Sequence, residues 1–491
     1  MRDLTTEAIS KCHIFLRECF GYDPSVVSLR EIARFKTCVE FFQDYFLKKN
    51  NQSKHSIDKE TEKVYKIKSI ICSIYLCYYI RLTNEGRRGN FEYQLKDILL
   101  EIANFYAEKK NKNFINDYNF NLYTKIRYEK LSQELRDKNF WNFSDLLKTE
   151  EEFLVSQIID PDKDKGIGIN QLLKENLFLL FLAIVTKIPL IIVGKPGTGK
   201  SLSAQLIYNS MRGKYSKKSF FTKYPKINQI YFQGTGFTTP DDVDKLFRKT
   251  EGLYKYYLRN SISNDTAPIY MILFNKLELA EIAPTNPLNT LHSRLEYDGK
   301  TEGTCFIGIS EYFLDATKMN KALCLSVPNL EDKLDQLKET SKSIVQSISD
   351  DIDNDHLIFN ILSRAYERYK YYLNFIKKLV VLKRYAKRRD LKGKDFRQIE
   401  YEKEFKKLLK RDKTIKTEFH GNRDFYNIIK GVAIEGSRLG DISDEKLIVP
   451  IINNFIERNF GGITYGIDIN FNLEFEYIKE QMKELKEEIL N

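Results

Sequence analysis

Gly194-Lys195-Pro196-Gly197-Thr198-Gly199-Lys200-Ser201 matches the phosphate-loop pattern G-x-x-x-x-G-K-[ST], and its flanks give it the setting such a loop needs. Pro189-Leu190-Ile191-Ile192-Val193 reads as a buried parallel strand, and Leu202-Ser203-Ala204-Gln205-Leu206-Ile207 opens a helix. The glycines let backbone N–H groups turn inward around a β-phosphate, where the positive end of the helix also points. Lys200 is placed to reach the β- and γ-phosphates, and Ser201 to give its hydroxyl to Mg²⁺. Lys195, Pro196, Thr198 and Leu202 complete the stretch that would line the nucleotide. A ligand-free strand-to-helix turn needs neither Lys nor Ser at its last two positions, so the stretch reads as a nucleotide site.

Around the loop, from about 165 to 328, short apolar runs alternate with helical patterns. Leu190 to Val193, Gln229 to Gln233, Ile269 to Phe274 and Thr304 to Ile309 are the expected strands, each bounded by polar turns. Alternation of this kind predicts an α/β core, a parallel sheet with helices on both faces. Residues 1–150 carry no strand signal and read as helical. Leu29 to Leu47 has Ile32, Phe35, Val39, Phe42 and Phe46 at helical spacing, with Ser28 and Glu31 as a capping box, and Val64 to Leu82 is a second apolar helix. Residues 151–164 read as a linker. Beyond Asn329 the chain is helical again to about 465, followed by a tail over 466–491.

Composition bounds the rest. A chain of 491 residues with 42% hydrophobic content supports several packed cores. Seven scattered cysteines without a C-x-x-C pair, and five histidines, argue against a disulfide framework or a zinc module and fit a reducing compartment. No secretion signal is expected at Met1-Arg2-Asp3-Leu4, and the longest apolar stretch, Leu177 to Val185, is too short to span a bilayer, so a cytoplasmic protein is expected. The net charge of +11 arises locally: residues 364–416 hold 20 Lys and Arg against 7 Asp and Glu. Lys383, Arg384, Lys387, Arg388 and Arg389 with interleaved tyrosines suit phosphate backbones. Glu400, Glu402 and Glu404 alternating with lysines suit a solvated helix instead, and this reading is favoured over nucleic acid as a partner.

The third strand decides the chemistry. An ATP-hydrolysing phosphate-loop protein ends this strand in Asp for Mg²⁺, and in the AAA+ branch a Glu follows to polarise the attacking water. Here Ile269-Tyr270-Met271-Ile272-Leu273-Phe274 runs into Asn275-Lys276. Asn275 keeps an oxygen for the metal but loses the charge. Lys276 cannot accept a proton at neutral pH, and loss of a positioned base costs about 10²–10⁴ in rate. Glu278 and Glu281 stand close downstream as alternative bases. Asn275-Lys276-Leu277-Glu278 also resembles the guanine-reading N-K-x-D of GTPases, but no D-x-x-G lies between Ser201 and Asn275.

Ile272-Leu273-Phe274-Asn275-Lys276-Leu277-Glu278-Leu279-Ala280-Glu281, then Pro284, Pro287-Leu288 and Thr290-Leu291-His292, resembles the second-carboxylate strand of the mysterin-type giant AAA+ ubiquitin ligases. Phe306-Ile307-Gly308-Ile309-Ser310-Glu311, Lys318-Met319-Asn320-Lys321, Arg423-Asp424-Phe425-Tyr426 and Arg458-Asn459-Phe460-Gly461-Gly462 are similar to its later motifs. Val27-Ser28-Leu29-Arg30-Glu31-Ile32 is similar to an element in the lid of a preceding module. The resemblance implies a P-loop AAA+ core over 165–328, a helical lid over 329–465, the lid of a preceding module over 1–150, and other AAA+ modules or protein subunits as partners.

It also implies four departures. Asn275 and Lys276 replace the family's Asp and Glu, Glu311 replaces the sensor Asn, and Lys321 stands where an Arg would be a trans-acting finger. A point ammonium does not reproduce a planar guanidinium fork. The expectation is a module that binds ATP, with Mg²⁺ held by Ser201 and Asn275, and hydrolyses it weakly or not at all. An active motor using Glu278 or Glu281 and a nucleic-acid adaptor acting through 364–416 are the alternatives. A RING needs about eight paired Cys and His ligands, which the sequence lacks, so ubiquitin transfer is not expected of this polypeptide alone.

Overall fold

The computed structural model describes residues 2–21, 27, 29–51, 59–82, 85–107, 144–160, 164–260, 266–296, 303–327, 334–348, 422–439, 450–452, 454, 455 and 458. They divide into two units, Met1–Asp160 with Gln171–Pro328, and Pro161–Asn170 with Asn329–Asn491. The first begins with helices α1 (Arg2–Cys19), α2 (Leu29–Lys49), α3 (Lys59–Cys77), α4 (Glu85–Ala107), α5 (Ser144–Ile158) and α6 (Gln171–Thr186). It continues with β1 (Leu190–Val193), α7 (Lys200–Ser210), β2 (Ile227–Gln233), α8 (Pro240–Asn260), β3 (Ile269–Asn275), α9 (Leu277–Glu281), α10 (Leu288–Glu296), β4 (Thr304–Ser310) and β5 (Leu323–Ser326).

The five strands form one sheet in the order β2-β3-β4-β1-β5, and every neighbouring pair is parallel. Helices cover both faces, so β1, β4 and β5 are buried throughout and read as unbroken apolar runs. The edge strand β2 is only partly buried. Four strands match the sequence expectation; β5 is an addition, and β2 starts two residues earlier than expected. Leu323-Cys324-Leu325-Ser326 is a run of four with no Gly or Pro before it, too short to stand out from the turn it follows.

Val243, Phe247, Ile272, Phe274, Leu277 and Phe306 fill one core cluster on the sheet. Each such side chain contributes about 1.5–3 kcal/mol by leaving water. The other core layer is α6, whose residues from Leu177 to Ile184 are all buried. A helix apolar on every side must be enclosed. Phe178 and Phe181 are enclosed by rings from α2 (Phe41, Phe42, Tyr45) and from Phe220 and Tyr224.

Helix α2 buries Phe35, Cys38, Phe42, Tyr45 and Phe46, whereas Ile32 is 41% exposed. The stripe is rotated because Glu31 and Arg34 turn inward as an ion pair at 2.9 Å, with Arg81 3.7 Å from the same carboxylate. Arg34 also donates to the Asn320 carbonyl at 2.8 Å. Ser28, the expected capping partner of Glu31, lies outside the described residues.

The expected 151–164 linker is helix as far as Ile158, where Leu154, Val155 and Ile158 are buried. Residues 164–170 belong to the second unit, with α11 (Leu334–Ile348) and α12 (Asn422–Leu439). Gly166 and Ile169 donate backbone N–H groups to the Ser347 and Ser343 hydroxyls at 2.8 and 2.7 Å, and Asn170 donates to Thr340 at 3.0 Å. Those serine contacts satisfy the backbone of a segment that has no sheet partner. The basic segment 364–416 and the tail 466–491 lie outside the described residues. No helix among the described residues is long and apolar enough to cross a membrane.

Candidate nucleotide-binding site

Strand register brings three loops to one edge of the sheet. Val193 at the end of β1 pairs with Ser310 of β4, and Ile309 of β4 pairs with Asn275 of β3. The phosphate loop, Lys276 and Glu311 therefore leave the sheet side by side, at the carboxyl ends of parallel strands where open α/β sheets bind ligands. Gly194 N–H donates to the Ser310 carbonyl at 3.1 Å and fixes the start of the loop to β4.

Gly197 and Gly199 have φ of +83° and +80°, values a side chain would strain, and Gly199 is the residue from which α7 starts. Lys200 folds back on the loop. Its ammonium donates to the Gly194 carbonyl and, at 2.8 Å, to the Lys195 carbonyl. Thr198 closes the turn by donating to the same Lys195 carbonyl at 2.9 Å. Ser201 and Leu202 are exposed on the first turn of α7, while Lys195 and Gly197 are half-buried and Pro196 exposed. The nine residues expected to line the nucleotide thus form one continuous cradle.

The loop rests on a polar support that hydrophobic periodicity does not reveal. Asn176 of α6 is fully buried and donates to the Thr198 carbonyl at 2.9 Å, while its Oδ1 has no partner among the described residues. One residue earlier, Glu175 takes a two-pronged bond from Arg88 of α4, at 2.9 and 3.2 Å. Gln171 donates to Glu151 of α5 at 2.8 Å. Burial and the nearby Glu175 push the Glu151 carboxyl up to about 8. Helix α6 thus links the N-terminal helices to the phosphate loop. Asn176 follows Lys174 and Glu175 directly before the apolar run Leu177 to Val185, where no sequence signal marks it as buried.

At the tip of β3 the Asn275 amide is committed locally. Its Nδ2 donates to the Tyr231 hydroxyl at 3.1 Å, and its Oδ1 accepts the Lys276 N–H at 3.1 Å. Lys276 sits at φ +57°, ψ +52°, the left-handed conformation, which costs a non-glycine residue about 1–2 kcal/mol. Its ammonium makes no ion pair among the described residues.

The two alternative bases differ. Glu281 accepts the Asp315 N–H at 2.9 Å and pairs with Lys318 at 3.1 Å. Glu278 accepts the Glu311 N–H at 3.2 Å and so stands between the tips of β3 and β4. Lys321, expected as a degenerate replacement for a trans-acting Arg finger, is only 6% exposed, and a buried side chain does not offer its charge to a neighbouring subunit. Arg423 is exposed on the first turn of α12, in the second unit.

The donor set offers the expected metal less negative charge than a carboxylate-bearing site. Mg²⁺ requires near-octahedral oxygen coordination and is held through one or two carboxylates besides substrate phosphates. Ser201 supplies a hydroxyl, but Asn275 has no charge and its oxygen faces the Lys276 N–H. Among the described residues no group of three His, Cys, Asp or Glu side chains is arranged to hold a metal ion.

A family model described as the RNF213 AAA domain matches residues 166–333. The E3 ubiquitin-protein ligase rnf213-beta of Danio rerio is 32% identical over 189 residues, 37% of this chain and 4% of that protein. The E3 ubiquitin-protein ligase RNF213 of Homo sapiens is 31% identical over 211 residues, 41% of this chain and 4% of that protein. The matched stretch therefore spans a small part of these relatives' length. Among solved structures, a single-substitution variant of Thermotoga maritima RuvB aligns at TM-score 0.27 and 13% identity, covering 62% of this chain and 91% of that one. C. elegans PCH-2 aligns at TM-score 0.29 and 14% identity, covering 64% and 72%.

Proposed function

We propose that this chain, whose residues 166–333 match the RNF213 AAA domain and lie on a parallel five-stranded sheet, binds ATP and uses occupancy rather than turnover. It would then act as a structural or regulatory element beside other AAA+ modules or protein subunits. One observation supports the reading: the glycine-rich loop shares a sheet edge with a β3 tip where Asn275 is tied to Tyr231 and Lys276 stands at the position the family resemblance gives to the base. A ligand that binds only the folded state stabilises it by about 2.7 kcal/mol at a hundred times its dissociation constant. Nucleotide alone can therefore stabilise the folded module without being cleaved.

The test is a titration of wild type and Lys200→Ala with ATP, read by calorimetry. The proposal predicts saturable binding that Lys200→Ala abolishes. Equal heats from both proteins would remove the nucleotide site.

A second reading, an active motor, is favoured at one point. Glu278 is the carboxylate that reaches the β4 tip, through the Glu311 N–H. Phosphate release by wild type that collapses in Glu278→Gln would establish it, and Glu281→Gln serves as the control because Lys318 already engages that residue. Ubiquitin transfer belongs to the names of the relatives and is not proposed for this stretch.

A further inference from the structure

We infer that this site takes its nucleoside triphosphate without a divalent cation, the Lys276 ammonium supplying the positive charge that the metal would bring. The inference rests on the nucleotide-holding reading above and specifies the form of the ligand: a metal-free triphosphate.

Charge comes first. The Asp-Glu pair implied by the family resemblance carries two negative charges, one of them facing a bound Mg²⁺. Asn275-Lys276 carries one positive charge at the same two positions. A polyanionic triphosphate still needs cationic partners. Lys200 follows β1 and Lys276 stands at the tip of β3, two strands away at the same sheet edge, so the pair would supply two such charges without recruiting an ion. The same substitution weakens the hold on a metal, because a cation at Lys276 repels another beside it.

Geometry agrees. β4 lies between β1 and β3, and strands are spaced about 4.8 Å apart, so the phosphate loop and the start of Lys276 are separated by about 10 Å. A lysine side chain and a terminal phosphate fill that span together. The backbone of Lys276 is held for the purpose: its N–H is fixed by Asn275 Oδ1 and its carbonyl accepts the Leu279 N–H at 3.1 Å. The left-handed conformation is retained at an energetic cost in a residue that is not glycine, a pattern found where surroundings over-determine a functional position.

Two carboxylates oppose the arrangement. Glu278 accepts the Glu311 N–H. Glu311 itself is half-buried at the same edge, so its carboxylate works against the triphosphate. Removing that charge should tighten binding.

The experiment is a calorimetric titration of the full chain with ATP, once in EDTA and once in excess Mg²⁺. The expected result is a dissociation constant that differs less than about threefold between the two, under 1 kcal/mol. In EDTA, Lys276→Asn, which tolerates the left-handed backbone, should weaken binding about tenfold or more, the worth of a charged hydrogen bond. Lys276→Arg should retain most of it, and Glu311→Gln should strengthen it.

Binding in Mg²⁺ that falls more than about tenfold in EDTA would overturn the inference and leave the nucleotide-holding reading intact. Unchanged affinity in a folded Lys276→Asn would also overturn it. No binding in either buffer would remove the nucleotide-holding reading, and this inference with it.

Discussion

Gly308 sits in the middle of β4 because Leu277 occupies the space a side chain would need. A Cβ at Gly308 would lie 2.3 Å from Leu277 Cδ1, 3.2 Å from a Phe306 ring carbon and 3.3 Å from Ile191. Leu277 is fully buried and opens α9, the short helix that carries Glu278 to the β4 tip. Gly308→Ala therefore overpacks the core, at about 1–3 kcal/mol. Leu277→Ala leaves a cavity, at about 2–5 kcal/mol. The double variant should cost less than the sum, since the new methyl enters the space that the leucine vacates, and contacting pairs couple by about 0.5–3 kcal/mol.

Native-state hydrogen exchange over residues 304–310 reads this locally, because stability differs between regions of one chain. Exchange from β4 should accelerate about 5–150-fold in Gly308→Ala, the same 1–3 kcal/mol at tenfold per 1.4 kcal/mol. In the double variant it should fall back toward wild type, relative to the additive expectation. Strict additivity within about 0.5 kcal/mol would refute the packing argument. It would mean that α9 is not seated by the glycine.

Asn176→Leu removes the bond to the Thr198 carbonyl together with an oxygen that has no partner among the described residues. Thermal stability should change little, while nucleotide affinity drops about fivefold; unaltered affinity would mean the loop holds its shape unaided. Arg34→Met leaves buried Glu31 with Arg81 at 3.7 Å and frees the Asn320 carbonyl, a loss of about 3–5 kcal/mol visible as a lower melting midpoint. Adding Glu31→Gln should recover part of it, and no recovery would argue against a charge effect. Glu151 holds its proton up to about 8 in the folded state but releases it near 4.5 when unfolded, so the folded state binds more protons between those values. Its contribution is full below pH 4.5 and is lost as pH rises to about 8. Melting midpoints of wild type and Glu151→Gln compared from pH 5 to pH 8 should diverge with that sign, and parallel curves would contradict it.

The core was legible where chemistry and periodicity coincide. Leu190 to Val193 followed by the glycine-rich loop admits one reading, and Ile269 to Phe274 and Thr304 to Ile309 are apolar throughout because both faces of the sheet are covered. β5 was hidden by its length. The Asn275 amide could not be placed from sequence, since its partners are Tyr231 on a neighbouring strand and the backbone of the next residue. Ion pairs also escaped periodicity: Glu31 and Arg34 look like surface charges in an amphipathic pattern, yet they turn inward and expose Ile32. Asn176 was concealed because it follows the charged Lys174 and Glu175 and stands just outside the apolar run Leu177 to Val185.

The central claim is that the β3 tip withholds hydrolysis from an intact nucleotide cradle. Its most direct test is steady-state phosphate release, at saturating ATP and Mg²⁺, by wild type and by the double variant Asn275→Asp, Lys276→Glu. The account predicts negligible release by wild type and a gain of about 10²-fold or more in the variant. Brisk release by wild type, unaffected by the double substitution, would contradict it.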